Sequence, residues 1–225
     1  MNKKTIFKKK VLLIAASISA FIYIGWRLFF TIPLNFGVMS FIFGVALALS
    51  ETVGVIEAFS HYRSLSSNVS PELPIIEKEL YPDIDVLIAT HSESVDLLYK
   101  TINGCIHMDY PDKNKVHIYI CDDTNRPEMK ALANHMGIGY FGLSDNKHAK
   151  AGNLNNALSK TNSPLIVTFD SDMIPRRNFL METVPYFHLP KLKKDKDGNW
   201  VDRTEDEFDE NYKIGFIQTP QSFYN

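Results

Sequence analysis

The sequence is poor in cysteine and carries no excess of charge of one sign. Its 225 residues include two cysteines, Cys105 and Cys121, and they stand in unrelated contexts. That pattern excludes a disulfide framework and a cysteine-based metal site, so we expect both thiols to be reduced and buried. The formal net charge is −2. A nucleic-acid-binding protein would usually show a basic face, and we therefore expect no nucleic acid as partner.

What the sequence does have is hydrophobic residues, at 45% of the total against 22% charged. These proportions suit one globular domain of ordinary size together with some membrane-embedded sequence. Positive charge is concentrated at the N-terminus, in Lys3, Lys4, Lys8, Lys9 and Lys10.

Two long apolar runs follow the lysines. Residues 11–30 hold Arg27 as their one charge, and a helix of this length covers about 30 Å, the thickness of a bilayer's hydrocarbon core. A signal peptide is the alternative, but the run is long for one, and residues 36–59 form a second apolar run. The sequence therefore predicts two transmembrane helices.

The second run contains the small residues Gly37, Gly44 and Gly54, which let helices approach closely in lipid. It also contains Glu51. A carboxylate within lipid is costly, so we expect Glu51 to face another helix or water. Both a structural position and a role in a translocation path are open for this residue.

The lysines also predict the orientation of the protein. Positively charged segments stay on the cytoplasmic side, so residues 1–10 form a cytoplasmic N-terminus and residues 11–60 two membrane-spanning helices. A linker, residues 61–82, then leads to a cytoplasmic domain, residues 83–225. We expect a multi-pass protein of the cell membrane.

The soluble part alternates between predicted strands and helices. The strands are expected at residues 83–89, 116–121, 139–142, 165–169 and 214–218. The helices are expected at 95–107, 128–136, 151–159 and 178–187. This alternation predicts an α/β fold with a mostly parallel sheet and helices on both faces. Residues 191–213 are dense in charge and hold a turn signal at 197–199, which indicates a solvated excursion.

Polar clusters follow two of the strands, where ligands of such sheets bind. Asp122 and Asp123 can accept hydrogen bonds from a base or a ribose, although a helix cap or turn would use aspartate equally well. Asp170 and Asp172 can converge on one divalent cation, and their hard oxygen ligands suit Mg²⁺ or Mn²⁺ bridging a diphosphate.

A third cluster is the segment HAKAGNLN, residues 148–155. Its small residues permit close approach of a ligand to the backbone. Lys150 can place a positive charge on a phosphate or a sugar hydroxyl, and a helix N-terminus favours anions. An ordinary helix start is the alternative interpretation.

The motifs CDD, HAKAGNLN, FDSDMIP and QTPQSFYN occur in this order. Together they resemble the cellulose synthase branch of the inverting family 2 glycosyltransferases. The resemblance implies a GT-A (Rossmann-like) fold, UDP-sugar as donor, Mg²⁺ or Mn²⁺, and a growing polysaccharide as acceptor, with other synthase subunits as partners. It implies a membrane-bound processive β-glycosyltransferase that transfers glucose into a cellulose-like polymer.

The resemblance also implies roles for individual residues. Ser92 stands where the family usually has asparagine. The implied nucleotide contacts are Thr90, Glu93, Asp122, Asp123, Lys150 and Asp170. The implied metal ligands are Asp170 and Asp172. The implied acceptor-lining segments are Gln218, Thr219 and Pro220 with Phe223 and Tyr224.

In the resembled family the general base is the aspartate of a T-E-D motif that follows the QTP segment, and a Q-x-x-R-W motif comes later still. We expect both beyond Asn225, with the C-terminal part of the domain missing and the chain binding donor without polymerising. Residues 204–206 spell T-E-D but precede QTP, and we assign them no catalytic role.

Three alternatives remain open from the sequence. The first is a non-catalytic, truncated membrane module. The second is a synthase of another β-linked polymer, which would be another β-glucan, poly-N-acetylglucosamine or hyaluronan. A nucleotidyltransferase is the third alternative by analogy of fold, and the paired membrane spans argue against it.

Overall fold

The computed structural model describes residues 3–66, 72–145 and 148–223. The chain forms two compact units, Met1–Pro71 and Glu72–Asn225. The first consists of two long helices, α1 (Lys3–Phe30) and α2 (Val38–Ser66). Each contains a segment long and apolar enough to cross a membrane, at Phe7–Phe30 and Val38–Leu65.

Helix α2 continues beyond the predicted span. Residues 61–66, expected in the linker, form its last turns, and residues 67–71 of that linker lie outside the described residues. An aromatic contact joins the two helices near this end, where the rings of Phe21 and Phe59 lie 5.0 Å apart between centroids. A continuous helix is physically reasonable here, because neither proline nor glycine interrupts residues 60–66.

One of the three predicted glycine contacts is present. A Cβ on Gly44 would overlap the ring of Pro33, so the approach of the interhelical turn to α2 requires glycine at this position. At Gly54 a Cβ would meet no described atom within 4 Å. Gly37 has a φ of +88°, and it provides the left-handed backbone conformation that begins α2.

Glu51 faces α1, as the cost of a carboxylate in lipid predicts. Its Oε2 accepts a hydrogen bond of 2.8 Å from Nε of Arg27, whose Nη1 also donates to Thr31 Oγ1 at 2.8 Å. Both charged side chains are largely shielded, with 18% of Arg27 and 27% of Glu51 exposed. The two charges neutralise each other, which gives Glu51 a structural partner on the neighbouring helix.

The second unit is built on a four-stranded parallel sheet with strand order β3-β2-β1-β4. Its strands are β1 (Ile84–Thr90), β2 (Val116–Asp122), β3 (Gly139–Gly142) and β4 (Leu165–Asp170). Its helices are α3 (Val95–Ile106), α4 (Pro127–Met136), α5 (Ala149–Leu158) and α6 (Phe179–Thr183). The α/β fold predicted from alternation is confirmed.

The sheet is covered on both faces because successive strand residues point in opposite directions. Val86, Ile88 and Ile120 pack into the larger core with α3 and α4. Leu87 and Cys121 form a smaller core with Ala157 of α5. Every residue of β1 is buried, as expected for a central strand between two helical layers.

Two predicted elements differ from the observed ones. The helix predicted at 178–187 is α-helical only over Phe179–Thr183 and continues as a 3-10 helix, Val184–Lys191. Pro185 explains the change, since it has no N–H to continue the α-helical hydrogen bonds. The strand predicted at 214–218 does not form. A strand needs a hydrogen-bonded neighbour, and β4 pairs with β1 alone among the described strands.

The charged excursion is more ordered than its composition indicates. It contains an antiparallel pair, β5 (Leu192–Lys194) and β6 (Trp200–Asp202). The carboxylate of Asp195 accepts backbone hydrogen bonds from Asp197 and Asn199, at 2.9 and 2.8 Å, and Gly198 has a φ of +86°. The turn predicted at residues 197–199 is therefore confirmed.

The T-E-D sequence of the excursion is a surface helical turn. Glu205–Glu207 form a 3-10 helix, which Thr204 caps reciprocally with Glu207. The side chains of Glu205 and Asp206 are exposed. A capping box accounts for the Thr and the acidic residues at this spacing.

Candidate functional site

A cavity of about 860 Å³ lies at the carboxyl ends of β1, β2 and β4. This is the edge of a parallel sheet where ligands bind in open α/β folds. The cavity is lined by most of the residues that the sequence singles out: Thr90, Glu93, Asp123, Lys150, Asp170 and Asp172. Residues separated by up to 82 positions thus meet at one site.

Glu93 organises the end of β1. Its Oε2 accepts hydrogen bonds from Thr90 Oγ1 at 2.8 Å and from the backbone N–H of His91 at 2.7 Å. Burial tends to raise the pKa of Glu93, but hydrogen bonds from His91, Thr90 and Ser171 outweigh it and lower the pKa to about 2. Glu93 is therefore a fixed anion that joins the end of β1 to the loop after β4.

Asp123 lies beside His91 on the wall of the cavity. His91 Nδ1 is 2.6 Å from Asp123 Oδ1, and the backbone N–H of Asp123 donates to Thr90 O at 3.2 Å. The Asp123 side chain is 11% exposed. A carboxylate held in this way can accept a hydrogen bond from a base N–H or a ribose hydroxyl.

Asp122, the neighbouring aspartate, has a different environment. It has no exposed surface and does not line the cavity. Its oxygens accept from Thr124 Oγ1 at 3.0 Å, from the backbone N–H of Arg126 at 2.6 Å and from Tyr140 Oη at 3.0 Å. Burial opposes ionisation, but the bonds from Arg126, Thr124 and Tyr140 lower its pKa below the usual range.

The structure therefore separates the predicted aspartate pair. Adjacent residues at the end of a strand point to opposite sides, so Asp123 reaches the cavity while Asp122 points into the protein. The carboxylate of Asp122 is enclosed by protein donors, and the nucleotide contact that the resemblance implies for it stays a prediction.

The loop after β4 presents two carboxylates to the cavity. Ser171 between them is buried at 3% exposure, and its carbonyl accepts a hydrogen bond of 2.6 Å from Thr101 Oγ1. The backbone N–H of Met173 donates to Asp170 O at 3.1 Å, which closes a tight turn. Anchoring of the central residue turns Asp170 and Asp172 towards the same side.

Lys150 stands opposite this turn, at the start of α5. Its Nζ forms an ion pair with Asp170 Oδ1. The helix begins at Ala149, whose φ of +48° is unusual for a residue with a Cβ. The N-terminus of a ten-residue helix and the ammonium group together make this side of the cavity favourable for phosphate.

The residues present fit a divalent cation of the Mg²⁺ class. Asp170 and Asp172 supply hard oxygen ligands. Within residues 3–66, 72–145 and 148–223, no cluster of three or more His, Cys, Asp or Glu side chains is arranged to hold a metal. Two carboxylates leave most coordination positions to a ligand's phosphate oxygens and water, which is usual for Mg²⁺.

Two further residues in or beside the cavity, Asn153 and Arg126, were not predicted individually from the sequence. Asn153, inside the HAKAGNLN segment, lines the cavity at 1% exposure and donates from Nδ2 to Cys121 O at 2.6 Å. Its Oδ1 has no hydrogen-bond partner among the described residues. Arg126 bridges the loops that follow β1 and β2. Its four-residue spacing from Asp122 is the one signal that a sequence could have offered.

The segment expected to line the acceptor side does not reach this cavity. Gln218, Pro220 and Phe223 are exposed, and Gln221 contacts the sulfur of Met173 at 3.5 Å. Tyr224 lies outside the described residues. An acceptor role for this segment stays a prediction.

Comparison with known proteins agrees with the geometry of the site. A family model described as glycosyl transferase family 2 matches residues 85–216. Cellulose synthase 1 of Komagataeibacter xylinus is 30% identical over 205 residues, which make up 90% of this chain and 12% of the relative. The UDP-forming cellulose synthase catalytic subunit of Pseudomonas fluorescens (strain SBW25) is 32% identical over 184 residues, covering 80% of this chain and 25% of the relative.

A solved structure supports the fold. The mannosyltransferase PcManGT from Pyrobaculum calidifontis, in complex with GDP-Man and Mn²⁺, aligns with a TM-score of 0.51 at 18% identity. The alignment covers 66% of this chain and 44% of the mannosyltransferase. The family match spans the parallel sheet and the whole cavity, and the chain therefore belongs to glycosyl transferase family 2, with a GT-A-type α/β fold.

Proposed function

We propose that this chain is the membrane-anchored, donor-binding part of a processive β-glycosyltransferase that takes sugar from a UDP-sugar. The observation that carries the proposal is the convergence of Asp123, Lys150, Asp170 and Asp172 on one cavity. These groups match the parts of a nucleotide-sugar, which has hydrogen-bond donors at the base and ribose and negative charge at the diphosphate.

The nucleoside is proposed to lie at the ends of β1 and β2. There Thr90 and Asp123 present oxygen atoms, and His91 supplies an imidazole ring against which a base can pack. The N3–H group of uracil can donate a hydrogen bond to a carboxylate such as that of Asp123. Asn153 adds an amide oxygen to the same cavity, and its other amide atom is already engaged by Cys121.

The diphosphate is proposed to lie between α5 and the loop after β4. Lys150 and the α5 N-terminus attract its negative charge. Asp170 and Asp172 would hold Mg²⁺ or Mn²⁺, which supplies positive charge to the UDP leaving group. The fold is shared with a mannosyltransferase whose structure contains GDP-Man and Mn²⁺.

Membrane anchorage is proposed for α1 and α2, which are long and apolar enough to span a bilayer. Lysines at the start of α1 favour a cytoplasmic N-terminus. Two spans then return the chain to the cytoplasm, where UDP-sugars are synthesised from soluble precursors. This topology would place the cavity on the side of the membrane that supplies its donor.

The transferred sugar is proposed to be glucose and the product a cellulose-like β-glucan. Support comes from the cellulose synthases that this chain resembles at 30–32% identity. The chain spans between 12% and 25% of the length of these relatives, so polymerisation itself belongs to the proposal. A synthase of another β-linked polymer, or a membrane module that binds nucleotide without transfer, would use the same cavity.

Nucleotide binding by the detergent-solubilised chain tests the proposal. Isothermal titration with UDP, CDP and GDP is carried out in Mn²⁺ and again in EDTA. We expect UDP to bind most tightly, and to bind more tightly with Mn²⁺ than without. Absence of UDP binding would overturn the donor site, whereas equal affinity in EDTA would overturn the metal assignment alone.

A second titration identifies the sugar. UDP-glucose, UDP-N-acetylglucosamine and UDP-glucuronic acid compete with a labelled UDP for the same site. Tighter binding of UDP-glucose is expected for a cellulose-like synthase. A preference for either of the other donors would instead support a synthase of an amino-sugar or uronic-acid polymer.

A further inference from the structure

Arg126 connects two loops that line the cavity without itself lining it. It is the N-cap residue of α4, directly after the loop that follows β2. Its Nη1 donates to the carbonyl of Glu93 at 2.8 Å, and its Nη2 donates to Thr90 Oγ1 at 2.8 Å. The Arg126 side chain is 17% exposed. One guanidinium thus holds the loop after β1 at two points.

Asp122 holds the guanidinium in turn. Its Oδ1 lies 3.2 Å from both Nε and Nη2 of Arg126, and its Oδ2 accepts from the Arg126 backbone N–H at 2.6 Å. Tyr140 Oη donates to the same Oδ2 at 3.0 Å. Because this carboxylate is completely buried, the position of the guanidinium follows from the core of the sheet.

The loop held by Arg126 carries the nucleotide-facing groups. His91 follows Thr90 directly and is in contact with Asp123 at 2.6 Å. Thr124 also contacts this loop: its hydroxyl, which donates to Asp122, lies 2.9 Å from the carbonyl oxygen of His91. Displacement of the Thr90–Glu93 backbone would therefore move the wall of the cavity against which a base would pack.

We propose that Arg126 is the positioning residue for the base end of the donor site. It acts through Thr90 and Glu93, and Asp122 is its buried anchor. Lysine cannot replace it, because a single ammonium group cannot donate in the fixed directions of a guanidinium fork to Asp122, Thr90 and the Glu93 carbonyl together. The inference rests on the proposed function, since it concerns selection of the base of a nucleotide donor.

Four variants of the detergent-solubilised chain test the role of Arg126. Arg126→Lys keeps the positive charge beside Asp122, and Arg126→Met removes it. Tyr140→Phe is the matched control, since it removes one hydrogen bond to Asp122 but leaves the bridge to β1 in place. Arg177→Met controls for loss of an arginine, because Arg177 pairs with Asp109 at the surface.

The measured quantity is the ratio of the dissociation constants of UDP and CDP in Mn²⁺, together with the number of binding sites. A destabilised variant loses sites for both nucleotides alike, so the ratio reports on the position of the base-facing groups. We expect Arg126→Lys and Arg126→Met to lower the preference for UDP by about tenfold, the effect of roughly one lost hydrogen bond. Both controls should keep the wild-type ratio.

The outcomes distinguish this inference from the proposed function. A wild-type chain without preference for UDP would overturn the proposed function and the inference with it. A wild-type chain that prefers UDP, with Arg126→Lys equally selective, would overturn the positioning role alone. A lowered ratio in Tyr140→Phe as large as in Arg126→Lys would also overturn it, because the effect would then come from Asp122 rather than from the bridge.

Discussion

The ends of β2 and β4 look alike in sequence and differ in the structure. Each strand ends on an aspartate, and a second aspartate follows it: Asp122 and Asp123 in one case, Asp170 and Asp172 in the other. After β2 the aspartates are adjacent, and one of them is completely buried. After β4 a serine separates them, and both line the cavity.

The spacing explains the difference. Adjacent residues of an extended chain point in opposite directions, whereas residues two apart point the same way. Ser171, between Asp170 and Asp172, is nearly as buried as Asp122, with 3% and 0% of the two residues exposed. A hydroxyl costs less to bury than a carboxylate, which needs the donors that Thr124, Arg126 and Tyr140 supply to Asp122. The comparison teaches that spacing decides whether both members of an acidic pair reach the cavity or one of them is buried in the protein.

The largest expected effect is on folding and belongs to Asp122. Asp122→Ala removes the partner of the Arg126 guanidinium and leaves several donors unpaired in the interior. We expect the free energy of unfolding to fall by about 3–5 kcal/mol, which is a large part of the stability of an ordinary domain. Urea unfolding followed by near-ultraviolet circular dichroism measures the change. Asp123→Ala is the neighbouring control, and an equal loss there would contradict the distinction between the two residues.

Substitution of Asp172 should have little effect on stability and a large effect on UDP binding. Its side chain is exposed, so Asp172→Ala should change the free energy of unfolding by less than about 0.5 kcal/mol. UDP binding in Mn²⁺ should weaken by about 100-fold, because loss of a metal ligand costs at least as much as loss of an outer-shell partner. Titration calorimetry gives both the affinity and its metal dependence. Asp206→Ala, an exposed acid of the T-E-D turn, should bind UDP as the wild type does.

Asp123 tests whether the end of β2 contacts the nucleoside. Asp123→Asn keeps the shape of the side chain and removes its charge. We expect UDP affinity to fall about tenfold, as for a lost hydrogen bond to a charged group, while the gain in affinity from Mn²⁺ stays unchanged. If instead the Mn²⁺ dependence disappears and affinity in EDTA is normal, the roles of the two strand ends are exchanged.

The smallest effect concerns Glu93, which joins the end of β1 to the loop after β4. Its pKa is lowered to about 2 from 4.5, so the folded state favours the ionised form. Glu93 therefore stabilises the fold above pH 4.5, and this contribution is lost as the pH falls towards 2. We expect it to be about 1 kcal/mol, because solvent screens a partly exposed charge.

Acid unfolding of Glu93→Gln beside the wild type measures the Glu93 contribution. The variant should be less stable at neutral pH and should lose less stability between pH 4.5 and 2. Parallel curves for the two proteins over this range would contradict the low pKa of Glu93.

The sequence predicted every end of the four strands of the parallel sheet to within one residue. Buried parallel strands are short apolar runs, and polar residues mark where they stop. The strand predicted at 214–218 is also an apolar run, but it has no hydrogen-bonding neighbour in the described chain. The local sequence pattern indicates which secondary structure a segment can form. Whether a strand forms also depends on a neighbouring strand, whose residues lie far away in the sequence.

The same limit applies to the site. The motifs predicted that Thr90, Glu93, Lys150, Asp170 and Asp172 meet at one edge of the sheet, and the structure places them around one cavity. Arg126 was missed because its role depends on hydrogen bonds to residues 33 and 36 positions earlier in the chain. No local pattern contains such a bridge.

The sequence by itself determined the family, the order of strands and helices, and the two apolar helices, because each is recorded in local runs or motifs. The tertiary structure alone decided which aspartate of the Asp122–Asp123 pair faces the cavity, and that Glu51 pairs with Arg27 on the other helix. The physical reason is common to both decisions. A buried charged side chain needs hydrogen bonds, and these include bonds from residues that only the folded chain brings close, such as Tyr140 for Asp122 and Arg27 for Glu51, which are 18 and 24 positions away.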